Sequence, residues 1–124
     1  MSRVTVVGVG PGDPGLLTVK AKDLLERAQV VAGFETVIAS VRRWISGEVV
    51  TIRYADQEER LDDLAEKARA GLTCVVCVWG DVTFSASELI DRVRSRVDVV
   101  DLVPGVSSVL AACAALRLPM ERCL

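Results

Sequence analysis

The strongest constraint on the fold is a pattern whose period switches repeatedly between two and about 3.6 residues. Short β-branched runs alternate with longer segments in which apolar residues recur at helical spacing. Residues 3–9 form a near-continuous apolar run. From 14 to 28, Leu16, Leu17, Ala21, Leu24, Leu25 and Ala28 share one helical face. Val30–Ala32 is a short strand, and 34–45 is helical with Val37, Ile38, Val41 and Ile45 aligned. A strand over 49–53 precedes a charged amphipathic helix over 57–70. Cys74–Trp79 is a strand and 85–97 a helix, which Ser85-Ala86-Ser87-Glu88 opens with capping-box spacing. Val99–Val103 is a strand and 107–116 an alanine-rich helix. Strand followed by helix, five times over, predicts an α/β domain with a parallel sheet covered on both faces.

That architecture locates a site before any residue is chosen. Ligands of open parallel sheets bind beyond the carboxyl ends of the strands. Three loops there are unusual. Gly8-Val9-Gly10-Pro11-Gly12-Asp13-Pro14 follows the first strand. It lacks the third glycine of a dinucleotide fingerprint, because Asp13 holds that place, and no Gly-Lys-Ser/Thr follows as in a Walker loop. Asp13-Pro14 also suits a helix cap with proline at the first position. Trp79-Gly80-Asp81-Val82-Thr83-Phe84-Ser85 follows the fourth strand, where Asp81 either meets a ligand or closes an Asx-turn. Val103-Pro104-Gly105-Val106-Ser107-Ser108 follows the fifth, and either serine would cap the last helix. Each loop alone reads equally as a turn. Three on one edge suggest a composite small-molecule site.

Composition narrows the chemistry. The chain has no histidine, which removes a histidine base, metal ligand or haem ligand. A net charge of −2 and 4% aromatic residues give neither the basic surface nor the stacking platform of a nucleic-acid binder. No apolar run approaches the ~20 residues of a membrane span, and 3–9 reads as a strand rather than a signal peptide. Cys74 and Cys77 form a CxxC, but residues three apart on a strand face opposite ways, so free buried thiols are expected. With no second CxxC a zinc site is not expected, and a reducing, cytoplasmic compartment is the default.

The three loops together, Gly8 to Thr18, Gly80-Asp81 with Phe84 following, and Pro104 to Ala112, resemble the tetrapyrrole (corrin/porphyrin) methylases over essentially the whole chain. Val30-Val31-Ala32-Gly33-Phe34 and the stretch from Pro104 through Leu118-Pro119 look most like the branch of precorrin-6Y C5,15-methyltransferase, or cobalt-precorrin-7 C5-methyltransferase. The resemblance implies transfer of a methyl group from S-adenosylmethionine to a precorrin on the route to cobalamin, commonly by a homodimer. It implies a five-stranded parallel sheet of order 3-2-4-1-5. It places the cofactor against Pro11, Gly80, Asp81, Val82, Ser107 and Ser108, and the substrate along the first loop, with Gly10 and Gly12. It also implies a second domain, so that residues 1–118 are the N-terminal domain and 119–124 begin a linker; this chain alone should bind cofactor poorly.

For proton removal the candidate is Asp13, whose other role is the cap. For substrate carboxylates it is Arg53, at the end of the third strand, whose other reading is a solvated surface residue. One departure is Val82, where the family has proline. The alternatives are a diphthine synthase, a ribosomal-RNA ribose methylase, or a non-catalytic domain that binds a ligand or dimerises.

Overall fold

A computed structural model describes residues 1–122. Five strands, β1 (Arg3–Gly8), β2 (Val30–Phe34), β3 (Glu48–Ile52), β4 (Cys74–Val78) and β5 (Val99–Val103), form one sheet of order β3-β2-β4-β1-β5. Every pairing is parallel: Val6 lies beside Val76 and Leu102, and Val31 beside Val49 and Val75. The sheet order implied by the resemblance is the observed one. It sets β4, β1 and β5 side by side, so the three unusual loops leave from adjacent strands.

Alternate residues of each strand enter opposite cores. Val4, Val6, Val30, Ala32, Ile52, Cys74 and Val76 point to the layer holding α3 (Gln57–Arg69) and α4 (Ser87–Arg94). There Leu61, Leu64, Ala65 and Ala68, then Leu89, Ile90 and Val93, bury one face of each helix at the spacing the sequence predicts. Val7, Val31, Val75 and Cys77 point the other way, to α1 (Val19–Arg27) and α2 (Glu35–Val41), which contribute Ala21, Leu25, Val37, Ile38 and Val41. Burying a leucine such as Leu25 or Leu64 fully contributes roughly 2 kcal/mol. The helix α5 (Ser108–Leu116) differs: it buries none of its residues, and Leu110 and Leu116 are exposed.

The helix ends depart from the sequence reading for local reasons. The expected helix over 14–28 is two pieces. Asp13 caps a single 3-10 turn at Pro14–Leu16, Leu17 is extended, and α1 starts where Thr18 Oγ1 accepts from the Ala21 amide at 3.0 Å. The helix expected over 34–45 tightens after Val41 into a 3-10 turn, Arg42–Trp44, that brings Trp44 and Ile45 against the core. The capping box at Ser85 does not form. Ser85 has φ of 68°, a left-handed conformation incompatible with an N-cap, and α4 begins two residues later behind Ala86. The last helix stops at Arg117, also left-handed, with Pro119 two residues on.

Cys74 and Cys77 are free, buried and in opposite cores, as the strand reading requires. Cys113 is free and half-buried, and Cys123 lies outside the described residues. Burial pushes the Cys77 thiol up to about 12, and burial also raises that of Cys74. Alkylation of the folded protein at pH ~8 should therefore leave both unmodified, and peptide mapping should find both labelled once the chain is unfolded. Modification of Cys77 in the folded state would contradict this packing.

Among the described residues no helix is long and apolar enough to cross a membrane. Nor does any group of three or more His, Cys, Asp or Glu residues stand ready to hold a metal ion.

Candidate functional site

The loops after β1 and β4 are joined by main-chain hydrogen bonds, and the loop after β5 packs against that junction. The Val9 amide donates to the Val78 carbonyl at 2.9 Å. Gly10 and Gly80 then exchange both hydrogen bonds, at 3.1 and 2.9 Å, in a short antiparallel bridge at the end of a parallel sheet. Such a bridge needs both chains to turn sharply, and Gly10 and Gly80 do so with φ of 79° and 63°. The third loop closes on the same point. A Cβ built at Gly105 would lie 2.4 Å from the carbonyl oxygens of Gly8 and of Gly80. No side chain fits between these three strand ends.

Asp81 fastens the loops electrostatically. Its Oδ1 accepts from the Gly105 amide at 3.0 Å, across 24 residues of sequence. Its Oδ2 accepts from the Thr83 amide at 3.1 Å and from the Thr83 hydroxyl. Of the two alternatives left open by the sequence, the structure shows the Asx-turn, and the other oxygen ties β5's loop to β4's. The hydrogen bond from Thr83, helped by the amides of Gly105, Thr83 and Val82, holds the carboxyl below the usual range against the opposing effect of partial burial.

The other residues of this rim are placed as follows. Val82 is buried in the core below the loop and anchors it. Ser107 is buried and caps α5, its Oγ accepting from the Val109 amide at 3.2 Å. Ser108 is exposed at the first turn, with its amide 3.4 Å from where a Gly80 Cβ would be. Pro11 is half-buried, and Gly12, with φ of 112°, has only the Trp79 ring near its missing side chain, at 3.5 Å. Asp13 is exposed, and its Oδ1 accepts from the Gly15 amide at 2.8 Å, which is the capping role. These residues, from Gly10 to Asp13, Gly80 to Val82 and Ser107 to Ser108, share one edge of the sheet.

Arg53 lies on the same edge but away from the glycine junction. It follows β3, the far edge strand, and lines a cleft of about 490 Å³ over the carboxyl ends of β3, β2 and β4. Phe34, Val37, Ile52, Val78 and Leu89 supply its apolar surface, and Trp79 stands between this cleft and Gly12. Sequence reasoning missed Trp79, Phe34, Tyr54 and Glu35. The signal available was positional: of two tryptophans, one tyrosine and two phenylalanines, three sit at or just beyond the carboxyl ends of β2, β3 and β4.

Comparison with known proteins gives a consistent result. The family model of Tetrapyrrole (Corrin/Porphyrin) Methylases matches residues 3–122. The chain is 32% identical to a uroporphyrinogen-III C-methyltransferase of Synechocystis, covering 97% of this chain and 49% of that protein. It is 31% identical to a cobalt-precorrin-4 C(11)-methyltransferase of Methanocaldococcus jannaschii, covering 95% and 48%. Among solved structures, the uroporphyrin-III C-methyl transferase of Thermus thermophilus complexed with S-adenyl homocysteine superposes with a TM-score of 0.73 at 40% identity, over 89% of this chain and 51% of that one. The chain thus spans about half the length of the curated relatives it matches.

Proposed function

The chain belongs to the tetrapyrrole (corrin/porphyrin) methylase family, and on that premise we propose that it forms the N-terminal domain of an S-adenosylmethionine-dependent enzyme that methylates a carbon of a tetrapyrrole. The observation that carries this reading is the main-chain junction of three loops at Gly8, Gly80 and Gly105. It makes a rim of backbone amides and carbonyls with no side chains in the way, which suits a zwitterionic nucleoside-like ligand needing many short polar contacts. The chain's donor set fits that group. Gly80, Asp81 and Val82, the α5 start at Ser107 and Ser108, and Pro11 would hold it; Gly12 leaves open space in front of the Trp79 ring.

When bound, the cofactor supplies a sulfonium methyl group activated for displacement. The chain's contribution is positional: a rim fixed by hydrogen bonds sets the line of attack and excludes water, and neither metal nor covalent enzyme intermediate is invoked. Asp81 acts as the fastening, since both of its oxygens are engaged within the protein. Asp13 is the carboxylate on the rim that we assign to proton removal. Asparagine caps as well as aspartate does. Asp13→Asn should therefore keep the fold and cofactor binding while lowering turnover.

In the same proposal, residues 1–118 are the domain and 119–124 begin its connection to a further one. The compartment is the cytosol, and the apolar, unburied α5 serves association into a homodimer. Sedimentation should then give twice the chain mass. The narrower substrate is precorrin-6Y or cobalt-precorrin-7, resting on Val30–Phe34 and the stretch through Leu118-Pro119. A second reading, uroporphyrinogen III or cobalt-precorrin-4, is favoured by the 31–32% identity to the enzymes named for them. Product mass after incubation with each macrocycle separates the two.

Calorimetric titration with S-adenosylhomocysteine tests the whole. Saturable binding, tighter in a form lengthened at its carboxyl end, is expected. Absence of binding by either form would favour the non-catalytic domain.

A further inference from the structure

The cleft over β3, β2 and β4 holds one basic and one acidic side chain, and they face each other. Among its lining residues only Arg53 and Glu35 carry charge. Arg53 Nε stands 3.4 Å from Glu35 Oε2, with both side chains more than half exposed. Other pairs in the molecule are closer: Arg96 Nε meets Asp62 at 2.7 Å, and Arg92 Nε meets Glu58 at 3.0 Å. The Arg53–Glu35 pair is long and solvated, which makes it weak and exchangeable. The two residues lie 18 apart in sequence and meet because β2 and β3 are neighbours, Phe34 beside Ile52.

The rest of the cleft suits a flat apolar ring system. Phe34, Val37, Ile52, Val78 and Leu89 give it apolar walls. Tyr54 lies against Phe34 with ring centroids 5.0 Å apart and is 87% exposed, so most of its surface is open at the mouth. Trp79 closes the side nearest the glycine rim. The volume, about 490 Å³, takes one edge of a macrocycle rather than the whole.

Resting on the reading above, we propose that this cleft seats the edge of the macrocycle and that Glu35 sets its charge specificity through Arg53. Without ligand, Glu35 satisfies and orients the guanidinium across the mouth. A substrate carboxylate takes its place, forming a charge-assisted hydrogen bond with Arg53. Glu35 is then a positioning residue with a selective effect: it repels carboxylates that do not reach Arg53 and competes with the one that does.

The test uses uroporphyrin, a planar macrocycle with carboxylate arms, titrated into the 124-residue chain and followed by its absorption band. Arg53→Gln should weaken binding about tenfold, the loss of one charge-assisted contact. Glu35→Gln should tighten it roughly two- to fivefold, the release of an exposed ion pair; a loss of structure would not tighten binding. The double variant should keep most of the Arg53→Gln loss, regaining only the part owed to Glu35's direct repulsion of the carboxylate arms, and raising salt should erase the difference between wild type and Glu35→Gln. Unchanged or weaker binding by Glu35→Gln, or unchanged binding by Arg53→Gln, overturns the inference. S-adenosylhomocysteine binding is measured on the same variants. If it is intact while the porphyrin results fail, only this inference falls; if wild type does not bind it in any form, the proposed function falls.

Discussion

Gly105→Ala should unravel the rim and cost the protein about 3 kcal/mol, at the upper end of what overpacking inflicts. The added methyl would sit 2.4 Å from two carbonyl oxygens, those of Gly8 and Gly80, and 2.6 Å from the Gly8 carbonyl carbon. These are main-chain atoms held by sheet and bridge hydrogen bonds, so no side chain can swing aside. Either β5's loop retreats, breaking the Gly105–Asp81 hydrogen bond, or β1 and β4 separate at their ends. Thermal unfolding should show a fall of about 10 °C, and S-adenosylhomocysteine binding should be lost. Gly71→Ala provides the control. Gly71 has φ of 91° but nothing within 4 Å of the added carbon, so it should cost only the left-handed backbone penalty of about 1 kcal/mol. Equal effects of the two substitutions would show that strain at the rim is not what distinguishes Gly105.

The second large effect is expected at Asp81. Asp81→Ala removes the acceptor of the Gly105 amide and of both Thr83 donors. Hydrogen bonds to a charged acceptor contribute about 1.5–3 kcal/mol each when sheltered; this carboxylate is partly exposed, so the total loss of stability should be nearer 1–2 kcal/mol. Ligand affinity should suffer more, at least about tenfold, because the β4 and β5 loops would no longer be held in register. The pH dependence has a definite sign. The folded carboxyl titrates below its unfolded value. Its contribution is therefore complete above the unfolded value, near pH ~4, and is lost as pH falls through the lower folded one. The stability difference between wild type and Asp81→Asn should be flat from neutrality to about pH 5 and shrink below it. A difference that grew on acidification would mean that Asp81 is not ionised in the clamp.

What the sequence reveals and what it hides have physical causes. Elements were legible because a sheet buried on both faces needs continuous apolar strands, and its covering helices need one apolar stripe. Leu61, Leu64, Ala65 and Ala68 are buried in α3 as their spacing predicts. Helix ends were less legible, since Ser85 has the right neighbours for a cap but its backbone is left-handed, just beyond the turn that Asp81 closes. The order of the strands came from the family resemblance; alternation alone does not specify it. The convergence of three loops was legible because parallel strands send every such loop to one edge. The Arg53–Glu35 pair and the cleft around it were not, because they join the ends of β2, β3 and β4, and nothing within one segment marks the meeting.

The Gly10–Gly80 bridge has one more consequence. Because the mouth is laced together by peptide groups, its outline is indifferent to most of the amino acids around it. New functional groups can be installed beside that opening, or existing ones retired, while the vessel itself keeps its form.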